Sequence, residues 1–171
     1  MKKFAGLLLS LLIVSAASLS AEKIKFDTKD FNGKQVTESV FADKKVTMIN
    51  VWGTFCGPCI REMPYLAKIS KEYKDKSFQI IGIPIDIIGR GGKLSSKEKK
   101  DADRILSATK ADYVNLIPTM DMFSSFLNGI QAVPATIFVD NQGNQLGQIY
   151  FGARSQKEWQ KIIDSLLEEA K

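Results

Sequence analysis

The chain contains two cysteines, Cys56 and Cys59, separated by Gly57-Pro58. Thiols at this spacing suit disulfide exchange, because one thiolate attacks a substrate disulfide and the second is close enough to resolve the mixed disulfide. Upstream, Val46 to Val51 reads as a short buried strand, apolar and β-branched between Lys44-Lys45 and Gly53. From about Cys59 onward the chain turns helical, with Ile60, Met63 and Leu66-Ala67 at helical spacing. Cys56 is therefore expected at the N-terminus of a helix that follows a strand, with Cys59 in its first turn. Helix-end N–H groups and the macrodipole favour a thiolate there, below the pKa of about 8.5 of an unperturbed cysteine.

Glu62 lies one turn after Cys59, where a carboxylate could exchange the Cys59 proton through water. Its bland alternative is an acid stabilised by the helix dipole. Asn50 cannot titrate. Trp52 and Phe55 either line the site or pack in the core, while Thr54 and Arg61 read as helix-entry and solvent residues. Histidine is absent, which removes the imidazole base, the Cys-His protease reading and most zinc or copper sites. Ile60 follows Cys59 where c-type haem attachment requires histidine. No metal or cofactor is expected.

The 171 residues, 44% hydrophobic and 25% charged, suit one globular domain with a sizeable core. The net charge of +5 falls to +3 once Lys2 and Lys3 are set aside with residues 1–20, too mild to argue for nucleic acid. Residues 1–21 read as a secretory signal: Lys2-Lys3, an apolar run from Phe4 to Val14, and small residues at Ser18 and Ser20 before a cleavage point after Ser20 or Ala21. An uncleaved anchor is the alternative. The domain is then 22–171, with the cysteines exported to a periplasmic or extracytoplasmic setting where disulfides persist.

Other elements must carry this site. Glu22 to Asp43 reads as a β-hairpin capping a sheet edge, with a turn at Asn32-Gly33 and an extended pattern running on through Val36 and Val40. Ser77 to Asp86 reads as a buried strand parallel to the first, making a βαβ unit whose helix Pro64 should kink. Ser95-Ser96-Lys97-Glu98 signals a capping box for a helix to about Lys110. Val114 to Ile117 reads as a short strand and Asp121 to Asn128 as a helix ended by Gly129. Pro134 opens an apolar strand to Asp140, and a hairpin turn at Asn141 to Asn144 leads into Gln145 to Phe151. Trp159, Ile162, Ile163, Leu166, Leu167 and Ala170 stripe one face of a final helix, where Trp159 reads as packing.

The pattern Asn50-x-Trp52-x-x-x-Cys56-Gly57-Pro58-Cys59-x-x-Glu62-x-Pro64, with the later Val133-Pro134-Ala135-Thr136, resembles the thioredoxin superfamily and its TlpA/ResA-like extracytoplasmic branch. Ordinary thioredoxins carry aspartate where Asn50 stands; TlpA/ResA-like proteins use a glutamate that corresponds to Glu62. The resemblance implies an α/β thioredoxin fold: a central mixed sheet flanked by helices, an N-terminal hairpin extension, and an insertion before the cis-proline strand. It implies a cis Pro134 facing the Cys56/Cys59 pair, with the Val133 backbone free to meet an extended substrate. Catalysis is then expected from Cys56, Cys59 and Glu62, and substrate binding from Trp52, Gly57, Pro58, Val133 and Pro134. The implied activity is that of a thiol–disulfide oxidoreductase acting on protein disulfides, as a monomer. Gly57-Pro58 and the missing histidine favour the reducing direction. A membrane electron donor of the CcdA or DsbD type is implied, with apocytochrome c or an exported methionine sulfoxide reductase as clients. Three alternatives stand: a disulfide oxidase of the same fold, a peroxiredoxin-like peroxidase, and a Cu(I)-binding module. The peroxidase is disfavoured because Thr54 stands two rather than three residues before Cys56. The copper module lacks the Cys-x-x-x-Cys and histidine of Sco-type proteins.

Overall fold

The computed structural model describes residues 23–89 and 91–170. The expected signal segment lies outside the described residues. The chain order is β1 (Asp27–Lys29), β2 (Gln35–Thr37), a 3₁₀ turn (Glu38–Phe41), β3 (Val46–Trp52), α1 (Gly57–Glu72), β4 (Phe78–Pro84), α2 (Ser96–Thr109), β5 (Val114–Asn115), α3 (Met120–Ser124), β6 (Ala135–Val139), β7 (Gln145–Phe151) and α4 (Gln156–Glu169).

Five strands form one mixed sheet in the order β5-β4-β3-β6-β7. Its central strand β3 is parallel to β4 and antiparallel to β6, and every one of its residues is buried. That burial on both faces explains its nearly unbroken apolar run. The period of two along β3 sorts its side chains between two cores. Val46, Met48 and Trp52 join the cluster built with α1 and α4, whereas Ile49 and Val51 join the cluster under the N-terminal segment and α3. Asn50 has the parity of the first set, so its amide faces α1. The result is a three-layer α/β domain of thioredoxin fold.

The N-terminal hairpin is a separate two-stranded sheet that docks on the β5 edge, through Phe31 N–H to Asn115 O (3.0 Å) and Ile117 N–H to Lys29 O (2.9 Å). Three expectations need correction. Val40 does not extend the hairpin; it lies in the 3₁₀ turn, where the Thr37 hydroxyl accepts the Ser39 N–H at 3.3 Å. Ser95 does not form a capping box, because its hydroxyl bonds the Glu98 carboxylate side chain to side chain and caps no backbone N–H. The helix expected to reach Asn128 ends at Ser124. There the Ser124 and Ser125 hydroxyls turn back to the Asp121 carbonyl, at 3.1 and 2.6 Å, and compete with helix continuation. Pro64 sits within an uninterrupted α1.

Candidate active site

Beyond Trp52 the chain loops through Gly53, Thr54 and Phe55 and enters α1 with Cys56 as the N-cap residue, its backbone extended (φ −92°, ψ 94°). Pro58 falls in the first turn, where a backbone N–H has no intrahelical acceptor and its loss costs nothing. The sulfur of Cys56 accepts the Cys59 N–H at 3.2 Å, taking the place an oxygen holds in an ordinary N-cap. Cys56 and Cys59 are joined by a disulfide, with their Cα atoms 5.3 Å apart. Cys56 is 5% exposed and Cys59 1%, so Cys56 is the less buried of the two.

Across from the pair, the Val133 carbonyl oxygen lies 3.6 Å from the Cys56 sulfur, and the Val133–Pro134 bond is cis. Gly57 and Pro58 are exposed beside the sulfurs, Val133 is half-buried and Pro134 is buried. Phe55 is 70% exposed and folds toward Gly53, where a Cβ would approach its ring to 2.7 Å. The expectation that Trp52 lines the substrate surface is corrected. It has no exposed area, and its indole N–H donates to Asn115 Oδ1 at 3.3 Å, so it supports the site from beneath. Gly82 makes room for that pair, since a Cβ there would collide with the Asn115 side chain.

Glu62 is 2% exposed, one turn beyond Cys59 on the same side of α1. Three donors from distant elements hold its carboxylate. Asn50 Nδ2 donates to Oε1 at 3.2 Å, while the Arg154 backbone N–H and the Trp159 indole N–H donate to Oε2 at 3.1 and 3.3 Å. Burial pushes its pKa up from the ordinary 4.5, opposed by these hydrogen bonds and by the Arg154 charge. This is not the dipole-stabilised surface acid of the bland reading. Arg154 is itself fixed: its guanidinium lies over the Tyr150 and Trp159 rings, 5.1 and 5.0 Å from their centroids, and Nη1 donates to the Phe151 and Gly152 carbonyls. Two buried polar atoms have no hydrogen-bond partner among the described residues, Asn50 Oδ1 and the Tyr113 hydroxyl. Burial and the negative charge of Glu62 push the Tyr113 pKa up.

Sequence reasoning missed three parts of this arrangement, the first being the Arg154 backbone N–H on Glu62. Trp159 does pack, against Phe138 and Tyr150, but it also donates to Glu62. Asp86 went unnoticed, although its carboxylate takes the Thr54 N–H at 3.0 Å to each oxygen and the Thr54 hydroxyl as well. Replacing Trp159 by phenylalanine removes one donor to the Glu62 carboxylate. The acidic limb of the pH–rate profile is expected to move to higher pH, with a stability loss of about 1–3 kcal/mol on denaturant titration. An unmoved limb would show that the indole does not influence the acid.

Comparison with known proteins agrees with the geometry. The Redoxin family model matches residues 16–150. A thiol-disulfide oxidoreductase ResA of Halalkalibacterium halodurans is 22% identical over 157 residues, covering 91% of this chain and 81% of that protein. A ResA of Bacillus thuringiensis is 37% identical over a 68-residue stretch, 40% of this chain and 39% of the relative. A thiol:disulfide interchange protein of the thioredoxin family from Chlorobium tepidum superposes with a TM-score of 0.73 at 20% identity, over 89% of this chain and 99% of that one. The chain belongs to the Redoxin family, within which it is a ResA-like thiol–disulfide oxidoreductase of the thioredoxin superfamily.

Proposed function

We propose that this protein is an extracytoplasmic reductase of protein disulfides. The observation that carries the reading is the Cys56 sulfur at the tip of α1, accepting the Cys59 N–H at 3.2 Å. A helix end of this kind stabilises the thiolate that attacks. In the reduced protein the Cys56 thiolate attacks one sulfur of the substrate disulfide, and the other sulfur leaves as a thiolate that takes a proton from water. Cys59 then gives its proton to Glu62 and attacks Cys56, forming the Cys56–Cys59 disulfide and releasing the second substrate thiol. Two electrons have passed to the substrate. Substrate backbone is met by Val133 and Pro134, and the side chains beside its cysteine by Gly57, Pro58 and Phe55.

Residues 1–21 support export, and the domain over 22–171 then works where a reductant must be delivered across the membrane. A donor of the CcdA or DsbD type suits that need, with apocytochrome c cysteines or an exported methionine sulfoxide reductase as clients and the monomer as working unit. Gly57-Pro58 between the cysteines and the absence of histidine favour reduction over oxidation. The test mixes the reduced protein with an equimolar peptide carrying an oxidised Cys-x-x-Cys-His pair. Transfer of both electrons to the peptide, read by mass after thiol capture, is the expected result. A peptide that stays oxidised removes apocytochrome c from the clients.

A further inference from the structure

We infer that Asp86 is a positioning residue for the attacking sulfur, anchoring the loop that carries Cys56 to the end of the neighbouring strand. This rests on the reading of Cys56 as the nucleophile. In the parallel β3–β4 pair, Trp52 stands opposite Pro84. Two residues past each partner lie Thr54 and Asp86, so the pairing continues beyond the strands as a side-chain clamp. Ile85 N–H still bonds Trp52 O at 2.9 Å, and the Asp86 carboxylate then takes both donors of Thr54, its N–H at 3.0 Å to each oxygen and its hydroxyl.

Within the loop Cys56 N–H bonds Gly53 O at 3.0 Å, and Cys56 itself is held to α1 by Ile60 N–H to its carbonyl at 3.1 Å and by Cys59 N–H to its sulfur at 3.2 Å. The Asp86 clamp is a side-chain bond that reaches from this loop to a different element. A charge-assisted acceptor with two donors from one residue fixes direction as well as distance. The fixed loop sets the Cys56 sulfur over the Cys59 N–H and opposite the Val133 carbonyl. Misplacing a nucleophile by a fraction of its contact distance costs rate even where the fold persists.

The clamp also brings a negative charge two residues from Cys56, and charge and anchoring act oppositely on the thiolate. Removing the charge favours the thiolate, whereas loosening the loop weakens its helix-end contact. Asp86→Asn removes the charge and keeps an acceptor; Asp86→Ala removes both. The reduced protein and both variants are alkylated with iodoacetamide across a pH series, with mass mapping of the modified cysteine. Their reaction with dithiobisnitrobenzoate is followed in parallel. Anchoring predicts that D86A reacts about tenfold or more slowly than D86N with the disulfide, with its Cys56 alkylation midpoint at higher pH than that of D86N. Superimposable rates and profiles for D86A and D86N overturn the inference. Should D86A fail to fold, Thr54→Val against Thr54→Ser repeats the contrast, with Ser expected to keep and Val to lose the wild-type rate. Modification mapped mainly to Cys59 would overturn instead the assignment of Cys56 as nucleophile.

Discussion

Cys56→Ser is expected to abolish disulfide reduction, with a loss of at least about 10³-fold in single-turnover rate, because a hydroxyl at this position neither ionises nor exchanges with sulfur. Cys59→Ser behaves differently. The attacking sulfur and its helix-end site remain, so the first step proceeds and stops at a mixed disulfide between Cys56 and the substrate. The measurement is non-reducing electrophoresis with mass mapping: C59S accumulates the adduct through Cys56, and C56S accumulates none. The asymmetry follows from geometry. Cys56 caps the helix and is the more exposed sulfur, while Cys59 lies in the first turn with 1% of its surface open. Equal adduct yields from the two variants would mean that the two sulfurs share the attacking role.

Glu62→Gln should lower the rate of resolution by Cys59 about 10²-fold or more, as removal of a positioned proton acceptor does. The same substitution is expected to raise stability at neutral pH. Burial raises the Glu62 pKa above the ordinary 4.5, so the folded state favours the protonated acid. The sign is then set by linkage. The contribution of Glu62 to stability is greatest below the ordinary glutamate range, and it falls as pH climbs from there to the raised value in the fold. Glutamine stays neutral throughout and removes that fall. Its oxygen can accept the Arg154 and Trp159 donors that now reach Oε2, and its NH₂ can donate to Asn50 Oδ1 once the Asn50 amide turns over. The Asn50–Glu62 hydrogen bond is thereby exchanged for one of the opposite sense, so the hydrogen bonds around the side chain are kept in number. Denaturant titrations from acid to neutral pH should show E62Q gaining stability relative to the wild type across the window. A variant less stable than wild type at neutral pH, or one with unaltered resolution, would contradict the assignment of Glu62 as a buried proton carrier.

Much of the site could be read in the sequence because it is contiguous. Strand, loop, Cys56-Gly57-Pro58-Cys59 and Glu62 follow one another between residues 46 and 62, and local rules of periodicity and helix entry apply within such a span. The parity of Asn50 along β3 was likewise available, which places its amide toward the helix. What stayed hidden depends on pairings between distant segments. Asp86 is 32 residues from Thr54, and only the β3–β4 register brings them level. Trp159 reaches Glu62 across 97 residues and Arg154 across 92, the latter through a backbone N–H that no side-chain identity announces. Trp52 was misjudged for a related reason. Its position beside the motif suggested a wall of the site, but its parity buries it under the sheet end, against Asn115. The shorter α3 reflects serine hydroxyls that turn back to the Asp121 carbonyl, and the missing capping box a Ser95–Glu98 bond between side chains; a spacing rule weighs neither.

The reduction potential of the Cys56/Cys59 pair tests the central claim most directly. The purified protein is equilibrated with graded glutathione or dithiothreitol buffers, and the dithiol fraction is counted by mass after alkylation. A value close to that of thioredoxin, about −270 mV, is predicted for a protein that delivers electrons to disulfides. A value close to that of DsbA, about −120 mV, would contradict the account and make this a disulfide-forming enzyme working through the same residues.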